Sequence, residues 1–405
     1  MDFAFTPDQE LLRRSVREFA ESEIRPHVRE WDEAQQFPRE LIFKLAELGL
    51  MGIQFPEEFG GAAMSSVDYC ICIEELARVD PSVSLTVAAH NGLGAAHIAM
   101  FGTDGQKHRY LTPLARGEKL AAWGLTESSA GSDAGAMRTS AAREGECWVL
   151  NGTKQFITHA RTGDLIVVMA VTNRSKGSRG MTAFIVERRT PGFRAGKKED
   201  KLGMRASETS EAIFENCRVP PSQVLGQEGQ GFINALQVLD AGRIGIAALA
   251  VGLAQGAYEA ARNYAFVRKQ FGQPIGTFQS IRAKLVDTAT RIEAARLLTY
   301  RAASMKDAGR RTTLEAAMAK LYSSEIAVRA AEDGVQIHGG YGFVKDYPAE
   351  KYFRDVKLTT IGEGTSEIQR LVIARQLLTI APGLQASARQ ASPSSPAAAG
   401  QAGHG

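Results

Sequence analysis

The sequence predicts a mainly α-helical chain with a small β-domain in its middle. Apolar residues recur with a helical period before about residue 120, with a strand-like period between about residues 120 and 225, and with a helical period again from Phe232. We therefore expect an N-terminal helical domain over residues 1–119, a middle β-domain over 120–225 and a C-terminal helical bundle over 226–381. At 405 residues the chain is long enough for several domains.

The N-terminal third contains the signals of a helix start. Thr6 and Gln9 are spaced as a capping box, and Pro7 stands at the first helical position. A second helical run covers about residues 39–50. The helical period of the first run continues through Leu11, Leu12, Val16 and Phe19.

The middle segment has the strand and turn signals of a β-domain. Residues 164–171 are rich in β-formers, and 182–186 form another short run. The dipeptides Asn151-Gly152 and Arg179-Gly180 predict turns.

Long amphipathic helices are predicted after Phe232. Residues 382–405 are mostly Ser, Pro, Ala and Gly with little apolar surface to bury, so we expect a disordered tail. The helical stripes are Ile281, Leu285, Ala289 and Ile292 in one run, and Leu314, Met318 and Leu321 in another.

Composition and charge exclude several classes of protein. The hydrophobic share of 44% and the charged share of 23% are typical of a globular protein, and a net charge of +3 gives no field that would recruit nucleic acid. The N-terminus resembles neither a signal peptide nor a transit peptide, and no apolar run approaches the roughly 20 residues that span a bilayer. We expect a cytoplasmic protein without membrane insertion.

No metal site is predicted from the cysteines or histidines. The cysteines lack C-x-x-C spacing and are interpreted as reduced thiols, and the histidines lack the spacing of metal ligands. The residues concerned are Cys70, Cys72, Cys147 and Cys217, with His90, His97, His108 and His159.

Glu363 is the strongest candidate for a catalytic residue. It lies between Gly362 and Gly364, just before a predicted helix. Glycines on both sides leave no Cβ to obstruct a ligand, which suits proton abstraction by the carboxylate. The alternative is that Glu363 only complements the helix dipole. A dinucleotide fingerprint is rejected because Glu367 occupies the place of its third glycine.

Two stretches of the β-domain are candidates for binding a flat cofactor. Residues 123–133 cluster small and hydroxyl side chains, which can donate hydrogen bonds to a ring or a phosphate, although such a string is commonly a polar turn. Residues 152–158 place Phe156 and Thr158 on one face of an extended segment. The alternative for Phe156 is a core aromatic.

Three stretches of the C-terminal half are candidates for binding an anionic ligand. Asp240 and Arg243 share a helix face, where a surface ion pair is the ordinary explanation and contact with a ligand tail is the functional one. Residues 268–272 and 336–342 place basic, amide and glycine groups near helix ends, where they can hold phosphate oxygens or act as helix caps. G-x-S-x-G, Walker A and H-E-x-x-H motifs are absent from the sequence.

Taken in order, these motifs resemble the acyl-CoA dehydrogenase family, from the N-terminal helix to about residue 380. The segments 239–247 and 361–370 are most similar to short-chain, butyryl-type members. The resemblance implies a small middle β-barrel, a C-terminal four-helix bundle, FAD, a homotetramer, and electron-transfer flavoprotein as the acceptor. It further implies a place in fatty acid β-oxidation.

The resemblance also implies roles for individual residues, carried over by position. Glu363 would be the base. The substrate site would contain Ser132, Asp240, Ala241, Gly242, Arg243 and Gly364. The FAD site would contain Leu125, Thr126, Ser132, Phe156, Ile157, Thr158, Arg268, Phe271, Gln279, Gln336, Ile337, His338, Gly339, Gly340, Thr365, Ser366 and Glu367.

The implied reaction is oxidation of an acyl-CoA to its trans-2-enoyl thioester. Glu363 would remove the α-proton while flavin N5 accepts the β-hydride, and burial would raise the pKa of the base. Some relatives place the base at the position of Gly242, and this chain has the commoner arrangement. Alternatives are a dehydrogenase or oxidase of a carrier-bound acyl or aminoacyl group, and a flavin-binding relative without catalysis.

Three positions depart from the family pattern. Phe156 replaces a common Trp, Ser128-Ser129 replace a frequent Pro-Gly, and Gly362 replaces a common Tyr beside the base. The last change leaves the acyl chain length open.

Overall fold

The structure, a computed structural model, describes residues 3–378 and confirms the predicted fold class of helices, a central sheet and helices again. The predicted tail over 382–405 lies outside the described residues. The N-terminal helices are α1 (Pro7–Phe19), α2 (Val28–Ala34), α3 (Arg39–Glu47), α4 (Ser66–Val79), α5 (Pro81–Ala89), α6 (Ala96–Phe101), α7 (Asp104–Gln106) and α8 (Thr112–Ala115).

The start of α1 has the capping box that the sequence predicts. The Thr6 hydroxyl accepts a hydrogen bond from the Gln9 backbone N–H at 3.2 Å, and the Gln9 side chain accepts one from the Thr6 N–H at 3.1 Å. The helix is tied to α4 by a bidentate pair between Arg17 and Glu75 at 2.9 Å.

The middle of the chain forms an eight-stranded sheet. The strands are β1 (Ala121–Gly124), β2 (Ser140–Glu144), β3 (Cys147–Thr158), β4 (Leu165–Val171), β5 (Met181–Glu187), β6 (Phe193–Lys198), β7 (Thr209–Val219) and β8 (Val224–Leu225). Their order in the sheet is β6-β7-β3-β2-β4-β5-β8, and β1 pairs with β4 in parallel. The all-buried β4 and its antiparallel partner β5 contain the two predicted runs.

The C-terminal part is built on one 37-residue helix. It packs against α4 from the N-terminal part and against two further long helices. The elements are α9 (Gly231–Val267), the short strands β9 (Lys269–Gln270) and β10 (Gln273–Pro274), α10 (Gln279–Asp307), α11 (Thr313–His338), α12 (Ala349–Asp355) and α13 (Ser366–Leu377).

The helix α9 is long, apolar and largely buried. Among the described residues it is the one helix that is long and apolar enough to cross a membrane, by length and composition alone. In the structure 72% of its most apolar 18-residue stretch is buried, as in the core helix of a folded domain.

The buried face of α11 differs from the predicted leucine stripe. Leu314, Met318 and Leu321 are only half buried. Small residues and one lysine make up most of the buried positions between residues 316 and 331, which allows α11 to lie close to α9. These buried residues include Ala316, Ala317, Ala319, Lys320, Ser323 and Ser324.

Candidate active site

Glu363 lies in a tight turn that ends at the start of α13. Its backbone has φ +54°, and Gly364 follows with φ +93°. Left-handed backbone is disfavoured for a residue with a Cβ, so the surrounding structure must hold this turn. Thr365 caps the helix by accepting a hydrogen bond from the Ile368 N–H at 3.3 Å.

The Glu363 carboxylate points into the interior, against α9. The residue as a whole is partly exposed, but its Oε2 atom is buried and has no hydrogen-bond partner. A Cβ placed on Gly242 would stand 2.2 Å from that oxygen and 3.4 Å from Leu93 Cδ2. The absence of a side chain at position 242 therefore leaves the space that the carboxylate occupies.

Burial controls the proton affinity of this carboxylate. It raises the pKa of Glu363 from 4.5 to about 7, against the attraction of Lys320 and Arg243, which lowers it. A carboxylate that only complemented a helix dipole would have a lowered pKa. A pKa near neutrality instead suits a general base.

Arg243 forms the ion pair with Asp240 that was the ordinary explanation for this spacing. The expectation that the pair lies at the surface is wrong, because Arg243 is 5% exposed. Its Nε atom has no partner, while Thr313 donates to Asp240 at 2.8 Å. Of the other residues predicted for the substrate site, Ala241 is half buried and Gly242 is buried, whereas Ser132 is exposed in the β-domain.

Tyr69 of α4 closes the space beyond Gly242 and was not predicted from the sequence. It is 3% exposed, and its hydroxyl is buried without a hydrogen-bond partner. That hydroxyl would lie 2.6 Å from a Cβ on Gly245 and 3.4 Å from a Cβ on Gly92. No local sequence motif indicates a functional role for this tyrosine. Only the tertiary contacts place it beside Glu363.

Two further side chains hold the turn and were also missed. Lys320 donates to the Gly364 carbonyl at 2.7 Å, and Gln369 donates to the carbonyls of Glu363 and Gly364 at 3.2 and 3.0 Å. The sequence contains a signal for Lys320, namely a single lysine within the small-residue face of α11.

The predicted flavin-contacting residues lie in the last part of β3 and in the segment that follows β1. Thr126 and Thr158 are half exposed, and the Thr126 carbonyl accepts from the Gln155 N–H at 2.8 Å, next to Phe156. Phe156 is 63% exposed with φ +59°, so the alternative of a core aromatic is wrong. Leu125 and Ile157 are buried beneath this surface.

A buried ion pair supports the segment that follows β1. Lys154, which is fully buried, contacts Glu127 at 2.8 Å and donates to the Leu125 carbonyl at 3.1 Å. Glu127 also accepts from the backbone N–H groups of Arg138 and Thr139 at 2.7 and 2.9 Å. Because the carboxylate oxygens of Glu127 are satisfied in this way, the ion pair fixes the backbone on both sides of Thr126.

A cavity of about 650 Å³ lies where α9 and α11 end. It brings together five of the predicted residues, Arg268, Ile337, His338, Gly339 and Gly340. The Arg268 guanidinium lies 5.5 Å from the centre of the Tyr341 ring. His338 is buried and stacks on Tyr264 at 4.4 Å, and burial lowers its pKa.

The remaining predicted residues are more dispersed. Phe271 is 93% exposed, Gln279 and Gln336 are exposed, and none of the three lines that cavity. Ser366 is buried with an unpartnered hydroxyl, and Glu367 is exposed at the start of α13. Among residues 3–378 no cluster of His, Cys, Asp and Glu has the geometry to hold a metal, and all four cysteines are free.

Known proteins resemble this chain along most of its length. Models of the acyl-CoA dehydrogenase N-terminal, middle and C-terminal domains match residues 6–118, 122–217 and 229–378. The short-chain specific acyl-CoA dehydrogenase of Clostridium acetobutylicum is 48% identical over 377 residues, which cover 93% of this chain and 100% of that protein.

Two solved structures have the same fold. Butyryl-CoA dehydrogenase from Megasphaera elsdenii has a TM-score of 0.92 at 44% identity, covering 93% of this chain and 100% of that one. The prolyl acyl carrier protein oxidase AnaB has a TM-score of 0.89 at 34% identity, covering 92% and 100%. The chain therefore belongs to the acyl-CoA dehydrogenase family, whose members are FAD-dependent oxidoreductases.

Proposed function

We propose that this protein oxidises the Cα–Cβ bond of a short acyl-CoA and that Glu363 removes the α-proton. The observation that carries the proposal is the buried, unpartnered Oε2 of Glu363, in a space kept open by Gly242. A carboxylate of this kind accepts a proton from a substrate carbon because no protein donor competes for its lone pair.

The acidity of the substrate sets what the residues must do. A C–H bond beside a thioester carbonyl is weakly acidic, so the base must be ionised and the negative charge that develops on the carbonyl oxygen must be stabilised. With a pKa of about 7, Glu363 is substantially ionised at neutral pH and still binds a proton well. The Glu363 backbone N–H is the proposed donor to the thioester oxygen.

The residues that remain exposed fit an FAD molecule. When bound, FAD supplies the acceptor for the β-hydride. The exposed Phe156 ring offers a surface for stacking, with the hydroxyls of Thr126 and Thr158 as hydrogen-bonding groups beside it. Arg268, Gln279 and residues 336–340 are proposed to hold the pyrophosphate and adenosine half, and this role is supported by the guanidinium in the 650 Å³ cavity.

Tyr69 supports a short acyl chain. Gly242 faces the base, and Gly245 lies nearly one helical turn further along α9, where the Tyr69 side chain is in contact. An acyl chain that passes Glu363 in this direction meets a buried aromatic ring. Ser132 and the segment 240–243 are proposed to line the rest of the channel, with Thr365, Ser366 and Glu367 completing the cofactor site.

The proposed partners follow from the family. Electron-transfer flavoprotein is the proposed acceptor of electrons, and a homotetramer in the cytoplasm is the proposed assembly. Exposed apolar side chains at the end of α9 and in the segments that follow α9 and α11 support the assembly, since association would remove them from water. They include Phe271 at 93%, Phe343 at 87% and Val267 at 77% exposed.

Anaerobic titration of the purified yellow protein with butyryl-CoA tests the proposal. We expect the flavin absorbance to bleach in the wild type. Glu363→Gln should retain FAD and bleach at least about 100-fold more slowly, because it lacks the base. Bleaching of that variant at the wild-type rate would exclude Glu363 as the base.

A second candidate is oxidation of a carrier-protein-bound acyl group. The fold similarity to the prolyl acyl carrier protein oxidase AnaB favours it. Two measurements separate the two candidate functions. The first is the single-turnover rate of bleaching with butyryl-CoA and with the same acyl group on a carrier protein, and the second is the rate at which oxygen then reoxidises the flavin. Preference for the carrier, with fast reoxidation by oxygen, would favour the second candidate.

A further inference from the structure

Lys320 is a buried cation with no carboxylate in ion-pair contact. Its side chain is fully buried on α11, where its nearest buried neighbours in sequence are Ala316, Ala317, Ala319, Ser323 and Ser324. Its ammonium donates to a backbone carbonyl, that of Gly364, at 2.7 Å. Within the described part of the chain no acidic oxygen lies within 4.0 Å of it, so the cost of burying the charge is not offset by a direct pair.

The Gly364 carbonyl belongs to the strained turn that carries Glu363. Gln369, which is fully buried on α13, donates to the same carbonyl at 3.0 Å and to the Glu363 carbonyl at 3.2 Å. The two consecutive carbonyls are thus held from two different helices. Because the Glu363 backbone is left-handed, these hydrogen bonds stabilise a conformation that the residue itself disfavours.

Lys320 also acts on the Glu363 carboxylate electrostatically. Its positive charge favours the ionised form of Glu363, and Glu363 in turn favours the charged form of Lys320. The other charged or titratable groups near the pair are Arg243 on α9, Tyr69 on α4 and Glu367 on α13. Burial lowers the pKa of Lys320 to about 8, so the lysine remains mainly charged at neutral pH.

We propose that Lys320 is a positioning residue for proton abstraction. Its ammonium fixes the turn of Glu363 through the Gly364 carbonyl and supplies a positive charge that favours the ionised carboxylate over the protonated one. Gln369 shares the first role and not the second, because its amide carries no charge. The assignment rests on the proposed function of Glu363 as the base.

The pH dependence of the reductive half-reaction distinguishes these roles in the holoenzyme. Lys320→Met removes the charge and nearly preserves the volume. The acid limb of the pH–rate profile, where the rate falls as Glu363 becomes protonated, should therefore move up by about one pH unit. Bleaching should be roughly fivefold slower at neutral pH and should partly recover at alkaline pH. Gln369→Leu should slow the reaction while the acid limb stays in place. Lys320→Gln, which keeps a donor, should move the limb as Lys320→Met does.

Lys284→Met is the matched control. Lys284 pairs with Asp333 between α10 and α11 and is partly exposed, so its loss should lower thermal stability and leave the acid limb unchanged. If Lys320→Met and Lys320→Gln both keep the wild-type limb, Lys320 has only a structural role and the proposal is overturned.

A double-mutant cycle on thermal unfolding separates this proposal from the proposed function. The Tm values of Lys320→Met, Glu363→Gln and the double variant are compared with that of the wild type. The measurements are made at a pH between the two pKa values of about 7 and about 8. Non-additive changes in Tm support electrostatic coupling even if no acyl thioester bleaches the wild type. Additive changes would contradict the coupling even if the enzyme is active.

Discussion

Gly242 and Glu363 face each other across the interior so closely that a methyl group on Gly242 would stand 2.2 Å from Glu363 Oε2 and 3.2 Å from its carboxyl carbon. The two residues are distant in sequence, yet they share one small space. In the proposed mechanism this is the space in which the base meets the substrate carbon. It also makes position 242 sensitive to any side chain.

Gly242→Ala should therefore impair the reaction without unfolding the protein. The carboxylate has a flexible side chain and can move away from the new methyl group, but a displacement of about 1 Å from the reactive geometry costs on the order of 100-fold in rate. Single-turnover bleaching by butyryl-CoA measures the loss. Gly334→Ala on α11 is the control, because its methyl group would meet ordinary contacts of 3.6 and 3.9 Å. Equal rates in the two variants would contradict the proposed position of the base.

Glu363→Gln should gain stability relative to the wild type as the pH rises. The folded-state pKa of about 7 lies above the ordinary 4.5, so between these values the folded wild type holds a proton that the unfolded chain has lost. Wild-type stability then falls with pH at up to about 1.4 kcal/mol for each pH unit, and glutamine does not titrate.

Urea unfolding of both proteins at about pH 5 and about pH 8 checks this, and the difference between them should grow by up to about 3 kcal/mol. A difference that is independent of pH would show that the Glu363 pKa is not raised.

Tyr69→Ala should shift the preference toward longer acyl chains. Removing the buried ring opens space next to Gly245, and each methylene accommodated there is worth roughly tenfold or more in kcat/KM. The ratio of kcat/KM for octanoyl-CoA to that for butyryl-CoA measures the change. Tyr69→Phe keeps the ring and should retain the wild-type ratio, since the hydroxyl has no partner to lose. An unchanged ratio in Tyr69→Ala would place the end of the acyl channel elsewhere.

Phe156→Ala should weaken FAD binding more than it alters folding. The ring is 63% exposed, so its removal costs little packing within the chain, whereas a lost stacking contact is worth about 1 kcal/mol or a few-fold in affinity. Retention of FAD on dialysis and the Tm of the FAD-free protein measure the two effects. Phe43 on α3 is 58% exposed, and Phe43→Ala should leave FAD retention unchanged. Equal retention in both variants would remove Phe156 from the cofactor site.

The sequence predicts the order of elements because hydrophobic period and helix capping are local. The capping box of Thr6 and Gln9 and the runs that became β4 and β5 are read from a few adjacent residues, and the structure confirms each. The Asp240–Arg243 pair was predictable for the same reason. Its burial was not, because burial depends on which other helices cover that face.

The sequence by itself determined that a carboxylate stands between two glycines before a helix, within a chain of one recognisable family. Only the tertiary structure decided what surrounds that carboxylate. Gly242, Tyr69 and Lys320 come from three different helices. Gly242 leaves the space that the carboxylate occupies, burial raises the pKa of Glu363, and the charge of Lys320 lowers it. Such effects depend on distance in space, so a local pattern of residues contains no measure of them.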